Sequence, residues 1–103
     1  MDASNEIFEV DAEVWTWRLP NHSGTWHFLT IDGQTSAEIR YAALGRTGGF
    51  GSIKVSATIG STRWRTSIFP HRESGGFILP IKAEVRRNEG IVPGSLVTVR
   101  LAV

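Results

Sequence analysis

Cations gathered on one surface without carboxylates among them are what an anion-binding site is built from, and this chain groups its bases in that way. Ile53-Lys54-Val55-Ser56-Ala57-Thr58-Ile59 and Arg63-Trp64-Arg65-Thr66-Ser67-Ile68 alternate apolar and polar residues on either side of Gly60-Ser61. A hairpin turning on that glycine-first dipeptide pairs Lys54 with Ser67, Ser56 with Arg65 and Thr58 with Arg63 on one side, and Val55 with Thr66 and Ala57 with Trp64 on the other. One face is therefore apolar and the other basic and hydroxylic. Lys82 and Arg86, four residues apart, share one face of a short helix and form a second basic group. Lys54, Arg63, Arg65, Ser67, Lys82 and Arg86 are the candidate ligand-binding residues. The internal alternative is that the acidic N-terminal strand, with Glu9, Asp11 and Glu13, lies over the hairpin and neutralises it.

Other chemistries are less well supplied. His22, His27 and His71 have no ligand spacing known from metal sites, and with no cysteine in the chain a thiolate nucleophile, a disulfide or a Cys-based zinc site is excluded. Ser67 and Ser74 sit in no nucleophile motif. Gly45-Arg46-Thr47-Gly48-Gly49-Phe50-Gly51 has the glycines of a phosphate loop in the wrong setting, since it follows a helix and opens a strand. No cofactor, metal or catalytic residue is expected. Of the four tryptophans, Trp64 falls on the apolar face of the hairpin and reads as core, while Trp15 and Trp17 share the odd positions with Glu9, Asp11 and Glu13 and read as reaching a rim or a ligand.

The elements that must position these residues are legible from periodicity. Phe8, Val10, Ala12 and Val14 alternate with acids as in a half-buried strand, and the apolar positions Trp15, Trp17 and Leu19 then suggest a change of parity at a bulge. Trp26 to Ile31 reads as an antiparallel second strand after the loop Pro20-Asn21-His22-Ser23-Gly24. Thr35-Ser36-Ala37-Glu38 has capping-box spacing and predicts a helix of about three turns, ended near Gly45. Phe69-Pro70 closes the second hairpin strand, and a loop runs to Gly76. Gly76 to Gly94 reads as strand, short helix and turn, with Pro80 in the first helical turn and Gly90 as the left-handed stop. The final strand sets Val97, Val99, Leu101 and Val103 against Thr98, Arg100 and Ala102. The sum is a mainly β, single six-stranded pseudo-barrel with two short capping helices. The repeat of Gly48-Gly49-Phe50 as Gly75-Gly76-Phe77 suits a barrel made of two similar halves.

A chain of 103 residues with 41% hydrophobic and 20% charged residues is one ordinary domain. Residues 1–7 read as a flexible N-terminal segment and residues 8–103 as the barrel. The polar, acidic start lacks the features of a signal peptide and no apolar run reaches membrane-spanning length, so a cytoplasmic monomer without membrane contact is expected. Charge is divided along the chain: residues 1–39 hold one base against seven acids, residues 40–103 ten bases against three acids.

In their order, Gly49-Phe50-Gly51-Ser52-Ile53-Lys54-Val55, Trp64-Arg65-Thr66-Ser67-Ile68-Phe69-Pro70, Leu79-Pro80-Ile81-Lys82-Ala83-Glu84-Val85-Arg86, Gly90-Ile91 and Pro93-Gly94 resemble the domain of unknown function 1905 family. The resemblance runs from about Phe8 to Leu101. It implies a small, closed or nearly closed β-barrel with short helices at its ends, and no activity. Phe77 to Val103 is also similar to the swapped-hairpin half of AbrB and MazE type transcription factors, which build a double-split barrel, although Gly94-Ser95 stands where those have Gly-Asp. The leading expectation is a non-enzymatic binding module for an anionic ligand or protein partner. Nucleic-acid binding is the alternative, and a small enzyme in which a histidine, a carboxylate or Ser67 converges with the arginines stands third.

Overall fold

A computed structural model describes residues 6–18, 20, 21 and 24–103 of the protein. Residues 1–5, Leu19, His22 and Ser23 lie outside the described residues, and with them the readings that fell on Leu19, His22 and most of the N-terminal segment. Seven strands, β1 (Ile7–Glu13), β2 (Trp15–Trp17), β3 (Trp26–Ile31), β4 (Ile53–Ile59), β5 (Thr62–His71), β6 (Gly76–Pro80) and β7 (Leu96–Ala102), form one sheet in the order β1-β7-β4-β5-β6-β3-β2. Every pairing is antiparallel. The sheet curls into a half-barrel with two helices, α1 (Gly33–Ala42) and α2 (Ala83–Glu89). The mainly β, barrel-like architecture expected from periodicity is thus the one observed.

The seventh strand comes from the first predicted one. Chain direction bends at Val14, which is 2% exposed, and β1 goes on to pair with β7 while β2 pairs with β3. The two edges of the sheet are therefore two halves of one segment. Val14 is bonded there by its N–H to the Ser95 carbonyl at 2.9 Å and by its carbonyl to the Gly94 N–H at 2.8 Å. The change of parity read from the tryptophans does not occur. Val10, Ala12 and Val14 point inward and Glu9, Asp11, Glu13, Trp15 and Trp17 outward, so no bulge intervenes and the two tryptophans lie on the outer face with the acids whose odd positions they share.

The β4–β5 register is the one the alternation gives, Lys54 opposite Ser67, Ser56 opposite Arg65 and Ala57 opposite Trp64. Inward residues of all the long strands, with Ile39 of α1 and Val85 of α2, make one core in which Leu29, Ile31, Ile68, Leu79, Val99 and Leu101 have no exposed surface. Trp64, at 7% exposure, belongs to it, as read.

Three boundaries differ from the expectation. Helix α1 starts at Gly33 because Asp32, not Thr35, is its N-cap: an Asp32 carboxylate oxygen accepts from the Thr35 N–H at 2.7 Å and the other from the Thr35 hydroxyl at 2.9 Å. Asp accepts from that position as well as Thr does, and three residues of extra helix follow from the choice. Pro80 ends β6 and Lys82 is the N-cap of α2, whereas Gly90, with φ 64°, is the left-handed stop that was expected. Strand β5 runs through Pro70 to His71, because pairing with β6 needs only a few residues there and leaves the proline free of a donor's role. The Gly-Gly-Phe echo has no structural counterpart: Phe50 is 97% exposed in a short 3-10 turn and Phe77 is 1% exposed in β6.

Candidate functional site

Strands β5 and β6 pair only over Phe69–His71, after which they part. β6 ends at Pro80 and the chain turns through Ile81 into α2, so the edge of β5 around Trp64–Thr66 faces the start of that helix across a gap. The gap is a cleft of about 350 Å³. Arg65 comes to it from β5, Lys82 and Arg86 from the α2 segment, and Trp26 and His27 from β3, with Trp64 at its wall. Beside it lies a wider groove of about 550 Å³, reached by Lys54 from β4 and by Ser67 and Phe69 from β5; Trp26, Arg65, Thr66 and Pro80 line both. Among the described residues no Asp or Glu lines either one.

Five of the six candidate residues are thereby brought to one continuous surface. Lys82 and Arg86 line the same cleft, and Arg65 joins them because the barrel splits beside it. Arg63, two residues back on the same face, lines a separate depression of about 290 Å³ with Lys82, Glu84 and Asn88, so it has an acid nearby that Arg65 lacks. The acidic strand does not cover the hairpin. β1 lies in the same sheet, two positions from β4, where Glu9 is opposite Arg100 and Asp11 accepts from the Thr98 hydroxyl. Within the described residues the carboxylate ion pairs are His71 with Glu73, 3.5 Å, and Lys82 with Glu84, 3.7 Å; both involve an exposed glutamate and are weakened by solvent.

His27 and Arg86 form the back of the cleft. Arg86 Nη1 donates to His27 Nδ1 at 2.8 Å, which requires a neutral imidazole carrying its proton on Nε2. Burial, and after it the adjacent guanidinium, holds the His27 pKa below its usual value, so the neutral form that the bond needs is also the favoured one. Arg86 Nε is buried and has no hydrogen-bond partner among the described residues. His71 is elsewhere, on the outer face, with its ring 5.7 Å from that of Trp15 and its Nδ1 2.9 Å from the Ser74 hydroxyl. Among the described residues no three His, Asp or Glu side chains come together as a metal ion would need.

Sequence reasoning weighed His27 only as a metal ligand and passed over Trp26 and Phe69. The signal was present in Trp26-His27-Phe28-Leu29-Thr30-Ile31: Leu29 and Ile31 are buried inward, so the rings at 26 and 28 must face outward, like Trp17 and Trp15 with which they pair. Trp26 and Phe28 are stacked, 6.0 Å between centroids and 6° between planes, and Trp15 packs on Phe28 at 5.0 Å with its Nε1 donating to the Thr30 hydroxyl at 2.8 Å.

Fold and site together define a small antiparallel half-barrel with a cationic, aromatic-rimmed cleft where its sheet splits. The chain belongs to the domain of unknown function family DUF1905, whose family model matches residues 11–101. No curated protein matches the chain.

Proposed function

We propose that this protein is a non-enzymatic binding module whose ligand is an anion seated in the cleft between β5 and α2. The observation that carries the reading is the convergence of Arg65, Lys82 and Arg86 on one concave surface that no carboxylate lines among the described residues, with Lys54 on the adjoining groove; Glu84, 3.7 Å from Lys82, is exposed and lies outside that lining. Guanidinium and ammonium groups held side by side cost energy through mutual repulsion, and an anion between them relieves it with charge-assisted hydrogen bonds. The buried Arg86 Nε–H, without an acceptor among the described residues, supports the same reading. With a single histidine at the back and no nucleophile motif, the groups support holding a ligand and not turning it over. A cytoplasmic monomer is the setting this reading takes, supported by a chain free of cysteine.

Thermal unfolding in the presence of inorganic phosphate, pyrophosphate and citrate tests the reading. A ligand at about 100 times its Kd stabilises by about 2.7 kcal/mol, which raises the melting temperature of a domain this size by on the order of 10 °C. The double variant Arg65→Ala/Lys82→Ala, which alters two exposed side chains, is expected to lose that rise, and Arg72→Ala, outside the cleft, to keep it. No shift of the unaltered protein with any of the three anions counts against the proposal.

A further inference from the structure

The outer face of β2, β3, β6 and β5 is aromatic where an antiparallel half-barrel would ordinarily be polar. Trp17 pairs with Trp26, Trp15 with Phe28, Phe28 with Pro80, and Ile78 with both Thr30 and Phe69, all on that side of the sheet. Trp17 is 48% exposed, Trp26 56% and Phe69 39%, so three large rings are partly open to solvent, Trp26 on the side away from the stacked Phe28. Such a surface is held against water at a cost, and it marks a place where something else packs.

What packs there is indicated by what borders it. Trp26 is shared by the cleft holding Arg65, Lys82 and Arg86 and by the groove holding Lys54 and Phe69, so rings and cations alternate along one track. Sugars also stack on aromatic rings, but a neutral sugar is held by carboxylates and amides at its hydroxyls, and among the described residues neither groove has an Asp, Glu, Asn or Gln in its lining. An apolar partner protein has no use for the cations. A ligand with planar faces and a repeating negative charge satisfies both, and several exposed rings call for more than one planar group.

Building on the anion site proposed above, we infer that this face binds single-stranded nucleic acid, with unstacked bases lying on Trp17, Trp26 and Phe69 and backbone phosphates meeting Lys54, Arg65, Lys82 and Arg86. Base stacking on aromatic side chains is tolerant of sequence and the phosphate contacts are blind to it, so little sequence preference follows. A duplex keeps its base faces covered and offers the rings nothing.

The test titrates the full chain into a fluorescein-labelled 12-nucleotide single strand of mixed sequence, as DNA and as RNA. Polarisation and tryptophan fluorescence are followed at several salt concentrations. The single strand is expected to bind and to quench tryptophan, with a log–log salt slope of roughly 0.7 per phosphate neutralised. Trp26→Ala is expected to weaken binding roughly 5- to 150-fold; Trp17→Ala, an exposed ring that lines neither groove, is expected to weaken it as well while leaving the phosphate-induced rise in melting temperature intact, and circular dichroism confirms that both fold. Arg65→Ala is expected to reduce both responses. Duplex of the same length binding as tightly as the single strand overturns the inference. So does a thermal response to phosphate with no oligonucleotide binding, which leaves the anion site standing. Dimerisation in sedimentation that is abolished by Trp26→Ala overturns it in favour of a second copy covering the face, and silence in both assays removes the anion site as well.

Discussion

His27 accepts a hydrogen bond from Arg86, and an imidazolium has no lone pair to do so. Around it in the cleft stand Arg86, Lys82 and Arg65, all cationic, and among the described residues no carboxylate is in the lining to favour the charged ring. Folding therefore lowers its pKa, first by burial and then by Arg86. Free imidazole titrates near 6.5, so as pH falls below about 6.5 the unfolded chain takes up a proton that the folded chain refuses, and stability drops until the folded pKa is passed. Urea unfolding at pH 7.5 and pH 5 is expected to show a loss of stability in the unaltered protein and a smaller loss in His27→Gln, His71 being common to both. Equal losses would place the neutral imidazole in error. Ser36 is a second single residue with a defined part. Fully buried, its hydroxyl donates to the Ile31 carbonyl and accepts from the Phe77 N–H, each at 3.1 Å. Ser36→Ala strands that buried N–H, and a loss of about 1–3 kcal/mol in chemical denaturation is expected.

At the scale of elements, α1 and β6 are fastened to each other through that serine, and the helix is fastened at its start by Asp32. The bonds from Thr35 hold the Asp32 carboxyl below its ordinary pKa. Asp32→Ala is expected to destabilise by about 1 kcal/mol, with Asp32→Asn retaining most of the cap; denaturant midpoints measure both. Gly76, the first residue of β6, sits so close to the Ile31 carbonyl and the Ser36 hydroxyl that a methyl group there would overlap both. Gly76→Ala is therefore expected to lose about 1–3 kcal/mol. Because it presses on the same hydroxyl, the double variant with Ser36→Ala should lose less than the two single losses added together. Helix α2 is shorter, seven residues, and its place is set less by its own sequence than by Gly90 at one end and the packing of Val85 against the core at the other.

For the molecule as a whole, the consequence of one continuous core is that both parts of the sheet stand or fall together. Leu29 on β3 has no exposed surface and lies on the opposite side of the sheet order from β1 and β7. Leu29→Ala is expected to cost about 2–5 kcal/mol, and helical and aromatic circular dichroism should still report a single coincident transition, since a domain of this size unfolds as a unit. Non-coincident curves would mean that the β2–β3–β6 part unfolds separately. Charge is also arranged on this scale. The acids of β1 occupy one end of the sheet order and the cations of the cleft lie where β5 parts from β6, so the two halves of the sequence share a molecule without cancelling each other at the site.

Sequence alone determined what depends on neighbours along the chain. Alternation gave β4 and β5 and their register to the residue, because a two-residue hairpin leaves no freedom in the pairing. It also placed Trp64 inside and Gly90 at the helix stop; Lys82, read as sharing a helix face with Arg86, is instead the extended N-cap residue, and the two meet at the cleft because the helix starts there. The barrel-like class and the family followed from the order of such blocks. Tertiary structure decided what depends on which elements meet. Whether β1 covered or merely bordered the cations turned on its pairing with β7, a partner more than eighty residues away. Trp15 and Trp17 kept a strict alternation where a bulge was expected: their place on the odd face with the acids was legible, but that the chain crosses at Val14 from pairing with β7 to pairing with β3 was not. Arg65 was separated from Arg63, and joined to Arg86 and His27, by the parting of β5 and β6 at Phe69. A cleft is a relation between elements remote in sequence, and periodicity, being local, carries no record of it.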